Sequence, residues 1–200
     1  MLAAYSRASR NVAIILLAAG ASTRMGTPKQ LLQYRNRSLI RYLTEIALAS
    51  DATSLCVVLG AESARVQQEL ADLSATLLEN PRWAEGMSSS VRAGLAWVPA
   101  SVHAAIIMLC DQPLVSTGLL DSMINAYVSS GKPIVACEYA GTLGVPALFD
   151  RSLFPDLSNL AGERGAKQII TRHSEDVYRI PFPGGTVDLD TPSDFGHFTS

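Results

Sequence analysis

Apolar runs of six to eight residues alternate along this chain with longer stretches in which apolar positions recur every three or four residues. The run "NVAIILLA" at 11–18 carries no charge and is rich in aliphatic residues, which predicts a strand buried on both faces. After a loop, "SLIRYLTEIALAS" at 38–50 sets Leu39, Ile40, Leu43, Ile46 and Ala47 on one face of a helix. The alternation continues with a strand at 54–60, a helix at 62–73 that turns Val66, Leu70 and Leu73 inward, and a short strand at 75–80. A helix at 89–98 follows, and then a strand through "AAIIMLCDQP" at 104–113 that ends on an acid. The next helix, at 116–131, is opened by Ser116 or Thr117 and closed by Gly131. "PIVACEYAG" and "LGVPALFD" read as paired strands around a turn at 140–144, and Phe154 and Leu157 within 153–160 read as core packing at helical spacing.

Apolar strands separated by amphipathic helices define an α/β fold, a mostly parallel sheet covered on both faces, here with one antiparallel strand in the second half. Ligands of such sheets bind beyond the carboxyl ends of the strands. That rule selects the loop after Ala19, Asp111, and the turn after Asn80.

Composition narrows the class. With 200 residues, 48% hydrophobic and 17% charged, and no Pro/Gly/Ser-rich linker, the chain reads as a single domain over 12–200 behind an N-terminal extension at 1–11. The net charge of −2 comes from 16 basic and 18 acidic residues mixed along the sequence, so no nucleic-acid partner is expected. Cys56, Cys110 and Cys137 lie in apolar stretches without metal-ligand spacing and read as buried thiols of a reducing compartment. Arg7, Arg10 and "AGA" at 19–21 imitate a secretion signal around the first apolar run, but its β-branched content favours a strand. No run reaches the roughly 18 to 20 apolar residues of a membrane span, so a cytoplasmic protein without a membrane partner is expected.

Four segments carry candidate chemistry. Between Gly20 and Lys29 the chain offers unobstructed backbone N–H groups, the hydroxyls of Ser22 and Thr23, and the cations Arg24 and Lys29, which is equipment for a polyphosphate. The spacing matches neither a Walker A loop nor G-x-G-x-x-G, and a plain strand-to-helix connection is the alternative. In "GMSSSVRAGL", Ser88, Ser89 and Ser90 stand at a helix start with Arg92 just inside; they serve either as helix caps or as hydroxyls for a nucleoside. In "CDQP", Asp111 ends a strand, where it either caps the next segment or binds Mg²⁺ that bridges phosphates. "VDLDTPSDF" sets Asp188 and Asp190 on one side of an extended segment before a terminal helix at Thr191-Pro192, with Asp194 near that helix's positive end. His103, His173 and His197 form no evident hydrolase set. Together these are the parts of phosphoryl or nucleotidyl transfer.

"LAAGASTRMGTPKQLL" resembles the signature of the MobA-like nucleotidyltransferases, and "GMSSSVRAGL", "LCDQP", "GTLGVPALF", "GERGAKQII" and "VDLDTPSDF" resemble, in order, the motifs of their molybdenum cofactor cytidylyltransferase (MocA-like) branch. The resemblance implies a three-layer α/β/α Rossmann-like fold of the nucleotide-diphospho-sugar transferase kind. It also implies Mg²⁺-dependent transfer of CMP from CTP to molybdopterin cofactor with release of pyrophosphate. Carried over, Leu17, Ala18, Ala19, Gly20 and Ser22 lie along the nucleotide, Arg24 and Lys29 hold its phosphates, and Ser88, Ser90 and Arg92 lie near the cytidine. Asp111 and Asp190 are the implied metal carboxylates, with Arg24, Lys29 and Asp111 catalytic. A molybdenum hydroxylase apoprotein or its maturation factor is the implied protein partner. The guanylyltransferase branch reads L-A-G-G where this chain reads L-A-A-G, and a Cβ at Ala19 narrows the space for a purine. Val145 replaces the histidine of the family's G-x-x-G-H-P pattern, and "GERGAK" replaces "GDxGAR". Alternatives of other kinds are a nucleotidyltransferase using GTP or another phosphate acceptor, a non-catalytic cofactor carrier, and a nicotinamide oxidoreductase, for which the G-x-G-x-x-G turn is missing.

Overall fold

Val12–Ala18 forms β1, and every one of its side chains is buried, as an uncharged aliphatic run requires. In this computed structural model, which describes residues 10–22, 26–162 and 165–187, a two-stranded hairpin follows, with β2 at Gln33–Tyr34 and β3 at Arg37–Ser38. Then come α1 (Leu39–Leu48), β4 (Ser54–Leu59), α2 (Ser63–Leu70), β5 (Thr76–Glu79), α3 (Met87–Trp97), β6 (Ala104–Leu109) and α4 (Thr117–Ser130). The second half adds β7 (Ile134–Tyr139), β8 (Thr142–Asp150), α5 (Phe154–Ser158), α6 (Lys167–Arg172) and β9 (Val177–Pro181).

The main sheet has the order β5-β4-β1-β6-β8-β7-β9. β8 runs antiparallel to both β6 and β7, and the remaining pairings are parallel, as the hydrophobic pattern predicts. The alternation of strand side chains sorts the core into two layers. Ile14 and Leu16 of β1 join Leu39, Leu43, Leu120 and Met123 of α1 and α4 on one face. Ile15 and Leu17 join Val91 and Leu95 of α3, Leu157 of α5 and Ile169 of α6 on the other. Each such aliphatic side chain, fully buried, contributes roughly 1.5 to 3 kcal/mol. Gly94 lets α3 lie close on the sheet, because a Cβ there would stand 2.4 Å from Ile15 Cγ2.

Several boundaries differ from the pattern-based reading for local reasons. The strand ending in "CDQP" stops at Leu109, leaving Cys110 to Pro113 as a turn. The helix predicted over 62–73 stops at Leu70, and Leu73 packs on the core from the following turn. Ser116 does cap α4, accepting from the Leu119 N–H, and Gly131 ends that helix in the left-handed conformation. The strands of the hairpin β2–β3 are two residues each, and the edge strand β9 leaves Tyr178 and Arg179 exposed, so neither stands out by pattern. The terminal helix predicted at Thr191-Pro192 and the 1–9 extension lie outside the described residues.

Arg41 of α1 ties that helix to the end of α2 and the turn after it. Its guanidinium forks onto both Asp72 carboxylate oxygens at 2.7 Å and donates to the Glu69 carbonyl at 2.8 Å. Those hydrogen bonds hold the Asp72 carboxyl down at about 2. A depressed carboxylate pKa stabilises the fold above the unfolded value near 4 and loses that contribution as pH falls toward 2. Asp72→Asn is therefore expected to flatten the loss of melting temperature between pH 4 and pH 2, as thermal unfolding at the two pH values would record.

Candidate nucleotide site

The chain leaves β1 toward β4 and β5, and α3 then brings it back across the sheet to β6, on the opposite side of β1. The order therefore reverses between β1 and β6, and the carboxyl ends of these two strands open a crevice where open α/β sheets bind ligands. A cavity of 540 Å³ occupies that position. Its lining includes Leu17, Ala19, Gly20, Ser22, Lys29, Ser90 and Asp111 from the expected set.

Lys29 and Asp111 are brought together from residues 82 positions apart, with Lys29 Nζ donating to Asp111 Oδ2 at 3.2 Å. Both side chains are largely covered, at 17% and 21% exposure. The other Asp111 oxygen, Oδ1, is buried with no hydrogen-bond partner among the described residues. Beside them Gly20 lines the cavity, and a Cβ built there would meet no atom within 4 Å, so the loop borders open space. A cation, a carboxylate oxygen with spare acceptor capacity and a bare backbone turn are thus set around one crevice.

The loop after β1 is held by a residue that the sequence reading passed over. Gln30 is 1% exposed, and its Nε2 donates to the carbonyls of Ala18 at 2.9 Å and Gly20 at 2.7 Å. Ser22 Oγ donates to Gln30 Oε1 at 3.4 Å and accepts from the Lys29 N–H at 3.0 Å. Gln30 carries no charge and follows Lys29 in the sequence, so only its burial identifies it. Gln30→Leu leaves two inward carbonyls without their donors, and is expected to cost about 1 to 2 kcal/mol of stability and roughly tenfold in nucleotide affinity. Urea unfolding and calorimetric titration would check the two effects separately.

The serine segment is arranged differently from a helix cap. Gly86 takes the N-cap position of α3 with φ 100° and ψ 177°, a conformation suited to glycine, and no side chain caps this helix. The helix therefore starts at Met87, and Ser88, Ser89 and Ser90 fall inside its first turns, all buried. Ser90 lines the cavity, whereas Ser88 Oγ is buried without a hydrogen-bond partner. Arg92 is absent from the lining; its guanidinium donates to the Leu160 carbonyl at 2.6 Å and lies 3.6 Å from Glu85. Ala18 contributes through its carbonyl to Gln30. Arg24, Asp188 and Asp190 lie outside the described residues.

A second, smaller cavity of 240 Å³ adjoins the first and shares Leu17, Met87 and Leu109 with it. Ile107, Val91, Tyr139 and Val145 make its walls mainly apolar, and Lys167 is the charged residue in its lining. Tyr139 donates from its hydroxyl to the Val145 carbonyl at 3.0 Å, and Gly144 and Gly185 leave room for its ring. The segments that depart from the family pattern, around Val145 and Lys167, thus lie at this cavity.

Cys110 also lines the larger cavity; burial and the adjacent Asp111 charge push its thiol up to about 12 against the opposing effect of Lys29. It is a neutral thiol at pH 7 and not a nucleophile. Burial likewise raises Cys56 and Cys137 to about 12, as expected for inert core thiols. Among the described residues no group of three or more His, Cys, Asp or Glu is placed to hold a metal. Asp111 Oδ1 nevertheless fits Mg²⁺, which commonly takes one or two carboxylates and completes its shell with substrate phosphates and water. No helix among the described residues is long and apolar enough to cross a membrane.

A switch-point crevice with a glycine turn, a lysine and a strand-end carboxylate defines the class of α/β nucleotide-binding proteins. The chain belongs to the family of the MobA-like NTP transferase domain, whose model matches residues 14–177. It is 32% identical over 164 residues to nicotine blue oxidoreductase of Paenarthrobacter nicotinovorans, covering 76% of this chain and 78% of that one. It is 25% identical over 193 residues to the purine catabolism protein PucB of Bacillus subtilis, covering 90% and 92%. Among solved structures, Rv0371c of Mycobacterium tuberculosis superposes with a TM-score of 0.81 at 28% identity over 94% of this chain and 97% of that one. The same mycobacterial protein has also been solved in complex with manganese, where the TM-score is 0.77 at 26% identity, with the same coverage of both chains.

Proposed function

We propose that the protein transfers CMP from CTP to molybdopterin cofactor, releasing pyrophosphate, with Mg²⁺ as the metal. The observation that carries this reading is the pairing of Lys29 with Asp111 across the β1–β6 crevice, with Asp111 Oδ1 left without a partner among the described residues. An unpartnered carboxylate oxygen suits a divalent cation, and the lysine beside it suits a phosphate, better than the two suit a purely structural ion pair.

In the proposed reaction the terminal phosphate oxygen of the cofactor attacks the α-phosphorus of CTP. A new oxygen–phosphorus bond forms in line as the bond to the β-phosphate bridge breaks, and pyrophosphate leaves. The attacking phosphate is already ionised at pH 7, so the protein needs no general base. Lys29 neutralises charge on the phosphates, the Gly20 turn admits them close to the backbone, and Gln30 keeps that turn in place. Bound Mg²⁺ would supply positive charge across the α-phosphate and the leaving group. Asp111 would hold it, with Asp190 as the second carboxylate and Arg24 as a further phosphate-binding cation.

Ala19 lines the cavity and is 6% exposed, which supports a pyrimidine over a purine on steric grounds. The adjoining apolar cavity with Lys167 at its rim is the proposed entry for the acceptor. A molybdenum hydroxylase or its maturation factor is the proposed recipient of the product, and the cytoplasm the proposed compartment.

The name of the Paenarthrobacter relative favours a second reading, an oxidoreductase. The two readings separate in one assay: pyrophosphate release from CTP, GTP or ATP with Mg²⁺ and molybdopterin cofactor, run beside NADH and NADPH oxidation with a quinone dye as the two-electron acceptor. Release with CTP and no nicotinamide oxidation is the expected result. Nicotinamide oxidation without pyrophosphate release from any nucleotide would replace the transferase by the oxidoreductase.

A further inference from the structure

Asn80 sits at the end of β5, 4% exposed, and holds a hydrogen-bond arrangement that determines the polarity of a cavity-lining hydroxyl. Its Oδ1 accepts from the Arg82 backbone N–H at 3.0 Å. A backbone N–H can only donate, so the orientation of the Asn80 amide is settled, and Nδ2 faces α3. Nδ2 has two hydrogens and donates to Ser89 Oγ at 2.9 Å and to Ser90 Oγ at 3.1 Å. Ser89 passes its own hydrogen to the Gly86 carbonyl at 2.9 Å and is thereby fully used. Ser90 differs: its oxygen accepts from Asn80, its hydrogen meets no acceptor among the described residues, and Ser90 lines the nucleotide cavity.

We infer that Asn80 is a positioning residue for base selection: by donating to Ser90 Oγ it turns the Ser90 hydroxyl into a hydrogen-bond donor toward the base, which selects cytosine, with an acceptor at N3, over uracil, with a donor there. The inference rests on the proposed binding of a pyrimidine nucleotide in this cavity. It goes beyond the steric argument from Ala19, because the two pyrimidines have nearly the same size and differ on this edge in hydrogen-bond polarity. A buried hydroxyl of fixed polarity rejects the mismatched base by leaving two donors facing each other.

The test is calorimetric titration of the full chain with CTP, UTP, GTP and ATP in the presence of Mg²⁺, for wild type, Asn80→Asp and Ser90→Ala. Wild type should bind CTP at least ~10-fold more tightly than UTP. Asn80→Asp keeps the shape and the contact to the Arg82 N–H, but a carboxylate oxygen takes the Ser90 hydrogen, so Ser90 offers only an acceptor to the base. The CTP-to-UTP preference should then fall to unity or reverse. Ser90→Ala, which places no charge in the interior, should bring the preference to within about twofold of unity even if Asn80→Asp fails to fold. A purely structural role for Asn80 would weaken both nucleotides equally, and an unchanged CTP-to-UTP ratio in folded Asn80→Asp or in Ser90→Ala overturns the inference while leaving nucleotide binding intact. Wild-type protein that binds none of the four nucleotides overturns the nucleotidyl-transfer reading itself, and the inference with it.

Discussion

Asp111→Asn protein is expected to melt within a few degrees of wild type and to release pyrophosphate at least ~10³-fold more slowly. The two effects separate because the Lys29–Asp111 ion pair is a modest contributor to the fold. At 17% and 21% exposure the pair is largely covered, and the lost charge is offset because an asparagine fills the same volume and its amide oxygen can still accept from Lys29. Activity is a different matter. The substitution replaces one carboxylate oxygen by an amide nitrogen, and whichever way the amide points the charge proposed to hold the metal is gone. The outcome is read from kcat with saturating CTP and Mg²⁺ beside thermal unfolding of the same preparation. A folded variant that keeps wild-type turnover would remove Asp111 from the chemistry and return it to the role of a strand-end polar residue.

Gly60→Ala should give the largest loss of stability of the substitutions considered, about 2 to 4 kcal/mol, together with roughly tenfold weaker nucleotide binding. Gly60 follows β4, and a Cβ there would stand 2.3 Å from the Ala19 carbonyl oxygen and 2.8 Å from Ala19 Cα and Cβ. Two of those three atoms are backbone, so no rotamer change relieves the collision. The Ala61 N–H donates to that same Ala19 carbonyl at 3.2 Å. Separating the loops after β1 and β4 therefore breaks this bond and moves Ala19 and Gly20, which Gln30 holds from the other side through the Gly20 carbonyl. The stability and binding losses should appear together in urea unfolding and nucleotide titration, because one displacement causes both.

The sheet was legible in the sequence where burial is complete. β1, β4 and β6 are unbroken aliphatic runs covered on both faces, and their helices present one apolar stripe each, so pattern alone placed them and the crevice at their ends. The hairpin β2–β3 and edge strand β9 escaped because Gln33, Arg37, Tyr178 and Arg179 face solvent, and a partly exposed strand has no hydrophobic signature. Lys29 and Asp111 stood out as candidates because a cation in a glycine loop and a carboxylate at the end of a buried strand lie where such sheets bind ligands.

Other parts of the site were hidden for a physical reason. Gln30 and Asn80 act through neutral amides whose partners lie 8 to 12 and 9 to 10 positions away, and neither charge nor periodicity marks such residues. The serines left two readings open, helix caps or hydroxyls for a nucleoside, because a serine near a helix start ordinarily caps it. Here Gly86, in a backbone conformation open mainly to glycine, starts the helix earlier and leaves the hydroxyls inside. Arg92 stood at the expected spacing, but its guanidinium meets the Leu160 carbonyl beyond α5, a contact that spans 68 residues and that local sequence does not encode.

The most direct test of the central proposal follows the α-phosphate. Wild-type protein would be incubated with Mg²⁺, molybdopterin cofactor and CTP carrying a label at the α-phosphorus, and the products separated with and without the cofactor. The account predicts that the label moves onto the cofactor as CMP, in step with pyrophosphate and only when the cofactor is present. Label that stays in CTP, or leaves as free CMP at the same rate without the cofactor, from protein shown to be folded and to bind the nucleotide, would contradict it.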